Sequence, residues 1–155
     1  RRKSLEKVLE ERARTAAERH GTVGAVAMDS QGNLAAATTT GGMTAKAPGR
    51  VGDAPLVGAA TYAENGVCAV SATGHGEYFI RVGVAKTICD RVKLTGETVG
   101  EAAQVALAEV ASLGGDGGVI VIDGQGNVDF VFNSAGMYRG EISANGATTA
   151  IFSDE

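Results

Sequence analysis

Thr22 stands where a charged leader gives way to an apolar strand, in Gly21-Thr22-Val23-Gly24-Ala25-Val26-Ala27. If the Gly21–Thr22 bond is cut, the α-amine of Thr22 lies beside its own hydroxyl and can act as its base, the arrangement of an N-terminal nucleophile. An unperturbed α-amine titrates near about 7.7–8.0, against about 10.4 for lysine, so a useful share of it is neutral at physiological pH. Taken alone, the stretch is more simply read as a threonine that merely opens a strand. Three clusters downstream add to the chemical reading.

The first is Thr38-Thr39-Thr40-Gly41-Gly42-Met43, where Thr40 could orient Thr22, or where the hydroxyls could simply belong to an edge strand. The second is Gly49-Arg50-Val51-Gly52-Asp53. A guanidinium fork suits a carboxylate, and Asp53 offers an acceptor for an ammonium, so the two could grip an α-amino acid at both ends. They could instead pair with each other and pin the loop. The third is Ala72-Thr73-Gly74-His75-Gly76-Glu77, whose Thr73 hydroxyl and Gly74 amide could form an oxyanion hole. The plain alternative there is a strand-to-helix turn with Glu77 at the positive end of the helix dipole. His75 reads as a residue lining the pocket rather than as the base.

These clusters must be carried by elements that the periodicity reveals. Alternating strands are expected at Val23–Met28 and Leu34–Thr38, and again at Val119–Ile122 and Val128–Phe132. Each pair is joined by Asp-x-Gln-Gly-Asn, in which Asp and Asn bond nearby backbone and glycine supplies positive φ. A Gly-rich loop follows over Thr39–Pro55, then strands near Leu56–Tyr62 and Gly66–Ala72. A helix is expected over Tyr78–Val92 and a second behind the capping box Thr98-Val99-Gly100-Glu101, ended by Gly114-Gly115. Weaker strands are expected at Gly136–Tyr138 and Thr148–Phe152, and an amphipathic helix over residues 3–19. Strands, two helices, then strands is an α+β order rather than a repeating βαβ one.

Composition narrows the function classes. Glycine at 23 of 155 residues is about twice its usual share of roughly 7%, without a collagen period, so it serves turns and close backbone approach. Residues 1–21 carry a net charge of +3 and residues 22–155 carry −7. So acidic a body excludes a nucleic-acid partner, and no apolar run reaches the roughly 18 residues of a membrane span. Cys68 and Cys89 stand apart, without metal-ligand spacing or a disulfide framework, and read as buried small hydrophobes. His20 reads as an exposed helix-end residue, no metal site is indicated, and the expected location is the cytoplasm.

Residues 21–27, 32–43, 48–59 and 73–77, in that order, resemble the β-subunit of the plant-type asparaginase / isoaspartyl peptidase family of N-terminal-nucleophile hydrolases. The Gly-Gly-Met form of residues 41–43 is more similar to that branch than to the glycosylasparaginases. The resemblance implies that Thr22 cleaves the Gly21–Thr22 bond and then attacks L-asparagine or a β-aspartyl peptide without a cofactor. It implies that Thr40 hydrogen-bonds the nucleophile and that Thr73 and Gly74 hold the oxyanion. Arg50 would bind the substrate α-carboxylate, and Asp53 with the Gly76 backbone its α-amine. The implied fold is the catalytic half of a four-layer αββα sandwich, two antiparallel sheets with helices outside. Residues 1–21 would be the end of a linker and residues 22–155 the β-subunit. The partner implied is an N-terminal α-subunit, missing here, in an (αβ)₂ assembly. The competing expectation is a truncated half that keeps the fold without catalysis and acts only through interaction.

Overall fold

The computed structural model describes residues 21–43 and 46–153. The expected helix over residues 3–19, and His20 after it, lie outside the described residues. Strands β1 (Thr22–Met28) and β2 (Leu34–Thr40) form an antiparallel hairpin in which Thr22 faces Thr40 and Met28 faces Leu34. Asp29 shapes its turn by accepting the N–H groups of Gln31 and Asn33, both at 2.8 Å. Asp123 repeats the device between β5 (Gly117–Asp123) and β6 (Val128–Phe132), accepting from Gln125 at 2.8 Å and Asn127 at 2.9 Å. Identical turn chemistry therefore closes both hairpins, as the sequence leads one to expect.

The strands β3 (Thr61–Glu64), β4 (Cys68–Gly74), β5 and β6 make one antiparallel sheet in that order. Side chains alternate across a strand, and β4 is covered on both faces. Cys68, Val70 and Ala72 pack with Val119, Val121, Phe79, Ile88 and Val110 in the main core. Ala69 turns the other way and packs with Ile122, Leu34, Val26 and Ala36 of the β1–β2 hairpin. Ser71 shares that second face. Its hydroxyl lies 2.6 Å from that of Thr38, donates to the Ala37 carbonyl at 3.1 Å, and is reached through Thr38 by the Thr61 hydroxyl at 2.5 Å. Gly24 makes room, because a Cβ there would lie 2.2 Å from Ser71 Oγ. Helices, sheet and hairpin thus stack as three layers of an α+β fold, a partial αββα sandwich.

The helical layer departs from the expected pair. In place of one helix over Tyr78–Val92 there are two, α1 (Gly76–Val82) and α2 (Val84–Thr95), parted by Gly83 at φ 63°. Gly83 closes α1 by donating to the Phe79 and Ile80 carbonyls and at the same time opens α2, a left-handed position that glycine takes without a Cβ penalty. Helix α3 (Val99–Ser112) begins on the expected capping box: Glu101 N–H donates to Thr98 Oγ1, and Thr98 N–H to the Glu101 carboxylate.

Three other expectations are corrected. No strand spans Leu56–Tyr62; successive turns, Leu56 N–H to Asp53 O and Ala59 N–H to Leu56 O, carry the chain to β3, and its apolar character reflects burial of Ala59 and Ala60. The last hairpin is β7 (Arg139–Ser143) with β8 (Gly146–Ala150), turned at Ala144-Asn145; β8 overlaps the expected Thr148–Phe152 strand, whereas β7 begins just after the expected Gly136–Tyr138, which forms none. Cys68 and Cys89 are buried as expected but joined in a disulfide tying β4 to α2, with Cα atoms 5.5 Å apart. The pairing is across 21 residues of chain, so spacing alone does not announce it. No helix among the described residues is long and apolar enough to cross a membrane.

Candidate active site

Thr22 opens β1 beside the C-terminal end of β4, and the loop after β2 curls over it. A cavity of about 230 Å³ forms there, lined by Gly21, Thr22, Thr40, Arg50, Asp53 and Gly74 among others. That is below the roughly 300–1,000 Å³ of pockets for drug-sized ligands and suits something as small as an amino acid. Thr22 also borders a second cavity of about 120 Å³, on whose wall Thr73 lies with Ser71. Thr73 does not line the larger cavity, and His75 lines neither, contrary to the expectation for it.

The Thr40 hydroxyl accepts the Gly42 N–H at 2.9 Å, which fixes the start of the loop. As acceptor in that bond it keeps its own proton for another partner, and its register position faces Thr22. Gly42 bends the chain at φ 75°, and Lys46 folds back across it to donate from Nζ to the Gly41 carbonyl at 2.5 Å.

Arg50 and Asp53 converge on Gly76. A Cβ on Gly76 would lie 2.8 Å from Asp53 Oδ1 and 3.2 Å from Arg50 Nη2, so the bare glycine lets both charged groups approach the start of α1. The two are not paired with each other in a salt bridge. Arg50 Nη2 lies 3.6 Å from Glu77 Oε2, outside hydrogen-bond distance. Asp53 is buried to 9% exposure, and desolvation raises its pKa above the ordinary carboxylate value. Its own N–H, that of Ala54 and the Arg50 charge pull the other way, while Glu77 adds to the rise. A buried carboxylate held against a cost in this way is suited to an incoming cation.

Gly74 faces Gly117 at the last rung between β4 and β5. A Cβ on Gly74 would meet the Asp116 carbonyl and Phe79 Cε2, each at 2.5 Å, so the chain packs this closely against both only because Gly74 is bare. The turn that follows is held by His75, whose N–H donates to the Asp116 carbonyl at 3.0 Å. His75 Nδ1 faces both the Asp116 N–H, at 3.2 Å, and Asp116 Oδ1, at 2.9 Å. Nδ1 accepts that N–H, while Asp116 Oδ1 beside it is buried. His75 is therefore a clamp on the Gly74–Gly76 turn.

Reading the sequence missed two participants. Lys46 lines the larger cavity, and its signal was present: it is the only Lys or Arg between Thr22 and Arg50. Asp116, 41 residues beyond His75, gave no local signal.

Comparison with known proteins adds to this geometry. A family model described as asparaginase matches residues 1–151. An isoaspartyl peptidase of Escherichia coli is 55% identical over 123 residues, 79% of this chain and 38% of that protein. A Salmonella typhimurium isoaspartyl peptidase is 56% identical over 120 residues, 77% of this chain and 38% of the relative. A mouse isoaspartyl peptidase/L-asparaginase is 50% identical over 118 residues, 76% and 36%. The chain thus spans well under half the length of the curated relatives it matches.

Proposed function

The chain belongs to the asparaginase family, and on that basis we propose that it is an amidohydrolase subunit whose nucleophile is the hydroxyl of Thr22. Its substrates are L-asparagine and β-aspartyl peptides, the classes named by its relatives. The observation that carries the reading is the shared cavity, in which Thr22 borders the space walled by Arg50, Asp53 and Gly74.

Maturation comes first. Thr22 Oγ1 attacks the Gly21 carbonyl, the Gly21–Thr22 amide C–N bond breaks as its nitrogen takes up the hydroxyl proton and becomes the free α-amine, and water then hydrolyses the resulting ester to release residues 1–21 and restore the hydroxyl. In the reaction itself, Arg50 holds the substrate α-carboxylate, and Asp53 with the Gly76 backbone its α-ammonium. The α-amine of Thr22 takes the hydroxyl proton as Oγ1 attacks the side-chain carbonyl, while Thr73 and the Gly74 N–H stabilise the oxyanion. The proton passes to the departing ammonia or amino acid. Water, activated by the same amine, cleaves the aspartyl ester and releases L-aspartate. Thr40 orients the nucleophile.

The subunit works with an N-terminal α-subunit of the family in an (αβ)₂ assembly. Support comes from the outer side of β1, where Val23 is 68% exposed although it is the kind of residue a further layer would cover. We place the reaction in the cytoplasm. The Cys68–Cys89 disulfide weighs against a reducing compartment, and a thiol titration of the cytoplasmic protein decides the point.

Intact mass after co-expression with the N-terminal half of a family member tests the reading. Loss of residues 1–21, abolished in Thr22→Ala, is the expected result, together with hydrolysis of asparagine or β-aspartyl-leucine. A chain that stays whole and inert in both forms points instead to a non-catalytic half acting through interaction.

A further inference from the structure

Lys46 is the charged group of the cavity to which the reaction gives no task. The described lysines Lys86 and Lys93 each have an ion-pair partner, Asp90 and Glu64. Among the described residues Lys46 has none; its ammonium rests on a neutral carbonyl, that of Gly41. Lys46 is exposed on the cavity's lining, and a cation there that is matched only by a neutral backbone group is suited to an anionic ligand.

Its position says which anion. The aspartyl half of the substrate is gripped through its α-groups at Arg50 and Asp53, and its side-chain carbonyl must reach Thr22. The leaving group then extends away from Arg50 and Asp53, along the wall that begins at Thr40, the register partner of Thr22, and continues through Gly41 and Gly42 to Lys46. In a β-aspartyl dipeptide the free carboxylate of the departing residue stands two bonds, roughly 3 Å of chain, beyond the scissile nitrogen. The flexible lysine stem can follow it over that range. Asparagine has no such group, because its leaving nitrogen carries only hydrogens.

We infer that Lys46 is a specificity residue that binds the C-terminal carboxylate of the leaving amino acid and so favours β-aspartyl dipeptides over free asparagine. The inference rests on the proposed reaction at Thr22. No bond is made or broken by Lys46. It exchanges the Gly41 carbonyl for the substrate carboxylate.

The test uses the chain co-expressed with a family N-terminal half and three substrates: β-aspartyl-leucine, the same dipeptide with its terminal carboxylate amidated, and L-asparagine. The wild type should prefer the free acid over the amide by roughly three- to tenfold in kcat/KM, the scale of a partly screened ion pair. In Lys46→Met that preference should disappear, mainly through KM, and the ratio of dipeptide to asparagine turnover should fall by the same factor. Lys46→Arg should restore most of both ratios. A variant that lowers kcat/KM equally on all three substrates shows Lys46 to be only a strut for its loop and overturns the inference, as does an acid-to-amide ratio that Lys46→Met leaves intact. Both results leave the proposed reaction standing. A cleaved, folded wild type that hydrolyses none of the three overturns that reaction, and this inference with it.

Discussion

Nδ1 of His75 lies 2.9 Å from Oδ1 of Asp116, and the same two residues are joined again through their main chains, His75 N–H to the Asp116 carbonyl at 3.0 Å. The contact binds the turn after β4 to the chain entering β5, with Gly74 and Gly76 on either side of the clamp. Replacing His75 by Ala removes the acceptor of the Asp116 N–H, and a backbone donor left without a partner costs about 1–3 kcal/mol. Urea unfolding should show that loss. Asp116→Asn, which keeps the shape and one acceptor, should lose less. If the clamp also positions the Gly74 N–H, His75→Ala should lower kcat more than it raises KM, since an oxyanion donor acts mainly in the transition state.

Gly74→Ala is the sharper probe of the same turn. The added methyl meets the Asp116 carbonyl and the Phe79 ring at 2.5 Å, and φ at this position is 155°. Backbone has to shift, at a cost of roughly 1–3 kcal/mol. The amide that shifts is the proposed oxyanion donor, so kcat should fall by about 10²-fold or more, the usual scale for losing such a group. Gly66→Ala is the comparison, with positive φ (77°) and nothing within 4 Å of the added methyl. It should cost stability without a comparable loss of kcat.

What the sequence revealed of this fold was what is decided within a few residues. The Asp-x-Gln-Gly-Asn turns and the Thr98–Glu101 box are closed by neighbours two to four positions apart, and both form as expected. The last hairpin turns on Ala144-Asn145, and the strands beside it are largely exposed and do not alternate, so periodicity found the end of β8 and missed β7. Gly83 was passed over because a glycine inside an apolar helical pattern does not show its φ. In the site, the types and spacing of Arg50 and Asp53 suggested a clamp for an amino acid, and the two do line one cavity with Thr22. The parts that were not legible depend on distant chain: Asp116 under His75, Gly117 against Gly74, and Cys89 bonded to Cys68.

Thr98→Ala should separate stability from activity. Thr98 caps α3 through the Glu101 N–H at 3.2 Å, and the residue is exposed at a helix start away from Thr22. Loss of such a cap costs about 1 kcal/mol. For a chain of this size the thermal midpoint should drop by roughly 2–4 °C. Differential scanning calorimetry reads the shift, and kcat/KM on asparagine should stay within about twofold, since no cap contact reaches the cavity. A larger kinetic effect would mean that α3 transmits strain to the site through Phe79 and Val110, which share its core.

Asp53 should show a stability cost that serves binding. Its folded-state pKa is raised, chiefly by desolvation, so the folded protein holds this proton to higher pH than the unfolded chain does. Stability from that group is therefore full below the unfolded value near 3.8, declines as pH rises toward the raised folded value, and stays reduced above it. Asp53→Asn removes the ionisation and retains an acceptor for the N–H groups of residues 53 and 54. At neutral pH it should raise the urea midpoint relative to wild type, and the gain should shrink to nothing as pH falls through 3.8. The same variant should raise KM for asparagine, because the substrate ammonium loses its buried counter-charge. In the wild type, kcat/KM should climb with pH as Asp53 ionises, a limb absent in the variant. Denaturation midpoints across pH, with kinetics on both proteins, check the pair of effects. A variant less stable than wild type at neutral pH would show that the carboxylate braces the loop, with Arg50 and the two N–H groups outweighing burial.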